Sequence, residues 1–88
     1  MATVRVKIDV AGTLGDEAWR RIRPFDQAQA VVYGTEVGGS GACAHSPEEP
    51  HRAGEWRVAR VTVPTYLLAQ YAVRHYLEQD RVLDADIE

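Results

Sequence analysis

Cysteine and histidine lie close together in the middle of the chain, where Cys43, His45 and His51 form the pattern C-x-H-x5-H. A thiolate and two imidazoles suit Zn²⁺, and a carboxylate or a water would complete a tetrahedron. The spacing matches no structural zinc module, however, and one small loop would have to supply every ligand. We therefore predict no metal site and no cofactor. The alternative is a metal- or small-molecule-binding domain that uses loop 38–54.

Residues for catalysis are not convincingly placed either. Cys43 with a neighbouring histidine as its base would need a rigid scaffold, which this loop does not offer. The G-G-S-G segment that begins at Gly38 is followed by no Lys-Ser or Lys-Thr pair and by no helix start, so it is not a phosphate-binding loop. No two acids are placed for acid–base work. The chain is therefore expected to be non-catalytic.

The charge pattern argues against nucleic acid as a partner. The chain has nine arginines, one lysine and a net charge of −3, and the preference for arginine is typical of a high-GC bacterial genome. Arg20, Arg21 and Arg23 could touch phosphates, but acids flank them, which is typical of an ordinary solvated helix face. Most of the acidic excess lies in the last residues, over 76–88.

Cysteine usage and hydropathy indicate the compartment. With a single cysteine, no intramolecular disulfide is possible, which is typical of a reducing compartment. No apolar run approaches the roughly 18 residues of a membrane span, and the chain starts directly with an alternating strand pattern rather than a signal peptide. We expect a cytoplasmic protein that has no membrane partner.

The elements that carry these residues follow from periodicity and from glycine and proline. Residues 3–10 alternate cleanly between apolar and polar, and the third strand shows a slip at Ala59–Arg60 that suggests a bulge or a twist. Trp19 and Ile22 of the first helix should dock on the sheet. Strands are predicted over 3–10, 27–37 and 55–63, and helices over 16–23 and 65–79.

This order predicts a single α+β domain over 1–88. Its sheet is small, mostly antiparallel and three-stranded, in the order β-α-β-β-α, with helices packed on one face. Segment 38–54 is rich in glycine and proline and poor in bulky apolar residues, which predicts a mobile loop. The acidic C-terminal tail 80–88 is either a short additional strand or free.

The second helix carries more apolar side chains than one face can hold. At about 100° per residue, the predicted core arc contains Tyr66, Ala69, Ala72, Val73, Tyr76 and Leu77. Other apolar residues fall outside that arc, and a helix that is apolar on two sides is covered on two sides, by its own chain or by another. The predicted partner-binding residues are Leu67, Leu68, Tyr71 and His75.

The expected function is therefore protein binding. We predict a small accessory subunit or regulator of a larger bacterial protein complex, or a homo-oligomer. The acidic C-terminal residues would help to steer a basic partner towards the protein.

Overall fold

Strand β1 (Ala2–Asp9) defines the two faces of the sheet. Its alternating residues Val4, Val6 and Ile8 are completely buried, whereas Arg5 and Lys7 between them stay partly exposed. Successive side chains of a strand point to opposite faces, so one face of β1, the inner face, lies in the core and the other is the outer face.

The computed structural model describes residues 1–14, 17–39, 50 and 53–88.

Four strands form the sheet in this described part, in the spatial order β2-β3-β1-β4. The further strands are β2 (Ala30–Gly38), β3 (Trp56–Val63) and β4 (Val82–Ile87), and all neighbours are antiparallel. The predicted three-stranded sheet in the order β-α-β-β-α is wrong, because the acidic segment 80–88 contributes β4. An edge strand can carry acids on its outer face, where water solvates them.

Both helices pack on the inner face, as expected for an α+β domain. Helix α1 (Glu17–Arg20) is a single turn, and α2 (Tyr66–Leu77) spans three turns. The prediction that the first helical segment docks on the sheet is confirmed, since Trp19 and Ile22 join the buried cluster. Within the described part of the chain, no helix is long and apolar enough to cross a bilayer.

β3 pairs with β1 without a register shift from Ala2–Val63 to Asp9–Trp56, so the bulge or twist suggested at Ala59–Arg60 does not interrupt this pairing. The sequence pattern slips because β3 is apolar on both faces. Ala59 and Val61 lie on the inner face, and Val58 is buried on the outer one. The pairing of β3 with β2 does change register at the suggested place, between the pairs Val32–Arg60 and Glu36–Val58. A further register shift lies between Lys7 and Ile8, where β1 meets β4.

The junction between β3 and α2 fixes where the helix begins. Pro64 lies immediately before the N-cap residue Thr65, whose side-chain oxygen accepts a hydrogen bond from the Leu68 N–H at 3.1 Å. Capping of this kind stabilises a helix by about 1 kcal/mol. Strand therefore passes into helix without a loop, as the sequence predicts.

Tyr76 provides a test of how α2 is held. Its side chain is 2% exposed, and its hydroxyl oxygen accepts a hydrogen bond from the Phe25 N–H at 3.0 Å. We expect Tyr76→Phe to lower the free energy of unfolding by about 1–3 kcal/mol, because the Phe25 N–H loses its partner. Urea denaturation followed by circular dichroism measures the change.

The matched control is Tyr71→Phe on the same helix, where the ring is 52% exposed. Loss of a solvated hydroxyl should change the free energy of unfolding by less than about 0.5 kcal/mol. Equal losses in the two variants would contradict a stabilising role for the Tyr76 hydroxyl.

Candidate partner-binding surface

A narrow line of residues holds α2 on the sheet. Ala69 and Ala72 are completely buried and Tyr76 is nearly so, whereas Tyr66 and Leu77 are 62% and 49% exposed. The prediction that Tyr66 and Leu77 belong to the core is therefore wrong. Tyr66 lies on the side of the helix that faces β4, and β4 is the last strand of the described sheet on that side. No further described strand is available to cover this residue.

Two of the predicted partner-binding residues are exposed, close to the start of α2. Leu67 is 59% exposed and Tyr71 is 52% exposed. With Tyr66 and the stem of Arg74 they form one wall of a groove of about 680 Å³, whose other wall is β4. We call this the α2–β4 groove; its lining includes Tyr66, Leu67, Tyr71, Arg74, Ala85 and Ile87.

The other two predicted partner-binding residues contact their own chain. Leu68 is partly buried and packs against the hydrophobic core. The His75 Nε2 lies 2.7 Å from the Arg23 carbonyl oxygen, and because a carbonyl only accepts, this nitrogen carries the proton and donates. The His75 ring also lies 5.8 Å from the Phe25 ring. The structure thus places Leu67 and Tyr71 in the groove, and Leu68 and His75 outside it.

The contacts of His75 belong to a clamp at the end of α2. The Gln79 side chain accepts from the Arg23 N–H at 2.8 Å and donates to the Arg23 carbonyl at 2.9 Å. Together with the Tyr76 hydroxyl bond to Phe25, these contacts tie the helix to the segment that follows α1. The helical wall of the groove is therefore fixed at its C-terminal end by the clamp and at its N-terminal end by the Thr65 cap.

The β4 wall is acidic on its outer face. Asp84 and Asp86 lie opposite Lys7 and Arg5 of β1 and are exposed. The side chains of both β1 cations point away from β4, however, towards β2 and β3. The Arg5 guanidinium bonds to Glu36 of β2 at 2.8 Å, and the Lys7 ammonium lies 4.4 Å from the centre of the Trp56 ring of β3. No described residue forms an ion pair with Asp84 or Asp86.

Glu36 is the centre of the charge network on the outer face. Arg60 donates to one of its carboxylate oxygens at 2.7 Å and Arg5 donates to the other at 2.8 Å. Arg60 also bonds to Glu88 at 2.8 Å, beyond the end of β4. The hydrogen bonds from Arg60 and Arg5 lower the pKa of the Glu36 carboxyl below its ordinary value.

A second depression lies on the inner side, between α1 and β2. Trp19 and Tyr33 stack with ring centroids 4.8 Å apart, and Arg20 and Arg57 line the same depression of about 570 Å³. The Arg57 Nε is shielded from solvent and has no hydrogen-bond partner among the described residues. Burial raises the pKa of the Tyr33 hydroxyl above its ordinary value.

The residues considered for metal binding or nucleophilic chemistry lie outside the part that the structure describes. This applies to Cys43, His45 and His51 and to most of loop 38–54. Among the residues that are described, no three histidine, cysteine or acidic side chains are grouped as metal ligands. Of the arginines on the first helical segment, Arg21 pairs with Glu17 at 2.9 Å.

The sequence left segment 80–88 open between a short strand and a free tail, and Tyr66 was assigned to the core. The alternation Asp84-Ala85-Asp86-Ile87 is the signal that could have identified the strand, since its apolar residues share one face and its acids the other. Nothing comparable was available for Tyr66, because its exposure depends on where the sheet ends.

Comparison with known proteins adds no relative. No protein-family model, no curated protein and no solved structure matches this chain.

The charge network on the outer face predicts a pH dependence. The folded-state pKa of Glu36 is below its ordinary value of 4.5. The stabilisation it provides is therefore fully present above that value and is lost as the pH falls through the lower folded-state pKa. We expect Glu36→Gln to reduce stability at pH 7, and the difference from the wild type to shrink as the pH falls below 4.5.

Carboxyl NMR titration tests the cause directly. Arg60→Gln should raise the Glu36 pKa towards its ordinary value, because the strongest donor to the carboxylate is removed. Arg21→Gln removes an arginine that pairs with Glu17 instead, and should leave the Glu36 pKa unchanged. Equal shifts of the Glu36 pKa in both variants would show that the net charge of the protein, rather than these hydrogen bonds, sets this pKa.

Proposed function

We propose that this protein is a non-catalytic binding module, an accessory subunit or regulator within a larger bacterial protein complex, and that it holds its partner through the α2–β4 groove. The observation that carries the proposal is the exposure of Leu67 and Tyr71 on a helix that is anchored at both ends. Large apolar side chains grouped on an ordered surface mark sites of protein–protein contact.

The composition of the groove suits such a role. Tyrosine is enriched at protein interfaces, because its ring buries a large area while its hydroxyl can bond at the rim. Tyr66 and Tyr71 supply two such rings, and Leu67 adds an aliphatic side chain beside them. Burying one such side chain on binding contributes about 1.5–3 kcal/mol. Three neighbouring side chains of this kind are enough to form the centre of an interface.

A rigid wall also reduces the cost of binding. Ordering a mobile side chain or segment at an interface costs about 0.5–1.5 kcal/mol for each side chain immobilised. The cap at Thr65 and the contacts of Tyr76, His75 and Gln79 hold α2 in place before any partner arrives. Most of the apolar contribution is then available for affinity.

The alternative, a metal- or small-molecule-binding domain that uses loop 38–54, continues to rest on sequence alone. Its candidate ligands Cys43, His45 and His51 are outside the described residues. No contact in the described part of the chain favours it over protein binding.

Leu67→Asp tests the proposal after the partner has been identified by co-purification from the native source. Losing the apolar contact and burying a charge should weaken binding at least about tenfold, since each 1.4 kcal/mol corresponds to a factor of ten. Calorimetry measures the affinity, and light scattering of the protein alone reports self-association.

The matched control is Leu77→Asp. Leu77 is a leucine of the same helix with similar exposure, but it does not line the groove. An acid is favoured in the first turn of a helix and disfavoured in the last, so any unfolding would affect the control more than Leu67→Asp. Equal effects of the two substitutions on affinity, or no effect of either, would reject the groove as the binding surface.

A further inference from the structure

The groove runs along an unpaired sheet edge. In the described sheet, β4 is hydrogen-bonded to β1 on one side and has no neighbour on the other. The Glu88 N–H donates to the Thr3 carbonyl at 2.8 Å, so Glu88 is in a hydrogen-bonded pair. Antiparallel pairing alternates, which makes Asp86 and Asp84 face β1 as well. The N–H and C=O groups of Ala85 and Ile87 therefore point away from the sheet.

The opposite edge of the sheet is a poorer template for pairing. There β2 changes register between Val32 and Glu36, and Gly34 between them has a φ of 72°. Irregularities of this kind twist an edge away from an approaching strand. The β4 edge is regular from Asp84 to Ile87, the part that lies along the groove.

The two sides of the β4 edge differ in chemistry. On the inner side, an added strand would lie over the groove, against Tyr66, Leu67 and Tyr71 of α2. On the outer side it would meet the carboxylates of Asp84 and Asp86, which form no ion pair with a described residue. Because side chains of a strand alternate between faces, a matching segment alternates between apolar and basic residues.

We propose that the partner of this protein contributes an extended segment of alternating basic and apolar residues, which pairs with β4 as an additional strand of the sheet. This inference rests on the proposed function and specifies the chemistry of its partner. The apolar side chains enter the α2–β4 groove, and the basic ones lie over Asp84 and Asp86. Backbone bonds to Ala85 and Ile87 supply affinity that does not depend on the sequence, and the side chains supply specificity.

The remaining charged groups agree with this arrangement. Arg74 lines the groove on the helix side, so basic side chains are disfavoured there. Arg5 and Lys7 belong to the strand on the other side of β4, and their side chains are drawn towards Glu36 and Trp56. Basic residues of the partner would therefore be placed over the two free acids.

A second copy of this chain is a worse occupant of the edge. Pairing two β4 strands would bring Asp84 and Asp86 of one copy beside those of the other, and like charges on neighbouring strands are destabilising. Charged residues on an edge strand commonly prevent self-pairing in this way. The same two acids attract a basic strand and repel a second β4.

The test uses three synthetic hexapeptides that are capped at both ends. The first, Lys-Val-Lys-Val-Lys-Val, should shift the amide NMR signals of Ala85 and Ile87 and slow their hydrogen exchange. The second carries N-methyl groups on its three valines and the third on its three lysines. Only one set of N–H groups faces β4 in a paired strand, so one methylated peptide should lose binding at least tenfold while the other retains it.

The direction of pairing follows from the same comparison. In an antiparallel pair the residues opposite Ala85 and Ile87 share their face, so the valine N–H groups are required. In a parallel pair the lysine N–H groups are required instead. Either outcome supports strand addition. Equal binding by both methylated peptides, or no binding by the unmodified one, overturns it.

Protein variants test the charge component. Asp84→Asn combined with Asp86→Asn should weaken binding of the unmodified peptide about two- to thirtyfold, which corresponds to roughly 0.4–2 kcal/mol for the two cross-strand charge pairs. The control is Glu17→Gln combined with Asp26→Asn, which removes the same charge far from the groove. An equal loss of affinity in the two double variants would overturn the basic character assigned to the partner.

This inference and the proposed function fail separately. A natural partner whose binding depends on Leu67 but leaves the Ala85 and Ile87 amides unprotected would overturn strand addition and keep the groove. A natural partner that is insensitive to Leu67→Asp would reject the proposed function, whatever the peptides show. Concentration-dependent protection of Ala85 and Ile87 in the protein alone would identify a second copy as the occupant and overturn the inference.

Discussion

The constraint on which the rest of this structure depends is the narrow contact between α2 and the sheet. Ala69 and Ala72 are too small to hold the helix away from the strands, so the helix comes close along that line. Close approach buries Tyr76 and lets its hydroxyl reach the Phe25 N–H. It also means that the side chains on either side of the line diverge from the sheet. The four strands of the described sheet cover the line and little more, which leaves Tyr66, Leu67 and Tyr71 exposed.

The arrangement of charge on the outer face has a similar geometric origin. Glu36 lies two strands away from β1, yet Arg5 reaches it because the arginine side chain is long and its fork suits a carboxylate. Lys7 is drawn over the Trp56 ring in the same direction. Both cations of β1 thus contact residues of β2 and β3, on the side of the sheet away from β4. The consequence appears on the other side, where Asp84 and Asp86 of β4 are exposed and form no ion pair with a described residue.

The parts of the fold that the sequence predicts well are those in which local pattern and tertiary packing agree. The alternation in β1 could be read directly, because one face of that strand is buried and the other is polar. Trp19 and Ile22 were also predictable, since a short amphipathic segment has one apolar side to bury. The structure of such segments can be predicted from sequence because the local pattern and the global fold agree.

The errors arose where the outcome depends on how far the sheet extends. Tyr66 and Leu77 fit a helical core arc by angle alone, but burial requires a strand beneath them. The acids of β4 gave its segment the composition of a tail, although an edge strand can hold acids on its outer face. The directions in which the Lys7 and Arg5 side chains point could not be predicted at all, because they depend on which strands become neighbours.

In the proposed complex, the groove and the acidic edge would contribute to recognition in different ways. Apolar contacts on Leu67 and Tyr71 are short-ranged and mainly set how long a complex lasts. Exposed carboxylates act over a Debye length of about 8 Å at physiological ionic strength, which favours encounter with basic segments. An exposed apolar groove alone would bind many hydrophobic segments, and an acidic edge alone would bind basic ones weakly. Because the groove and the acids lie on the two sides of β4, a partner segment must present apolar and basic residues at alternating positions. A pleated strand places alternate side chains on opposite faces in this way, and a helix does not.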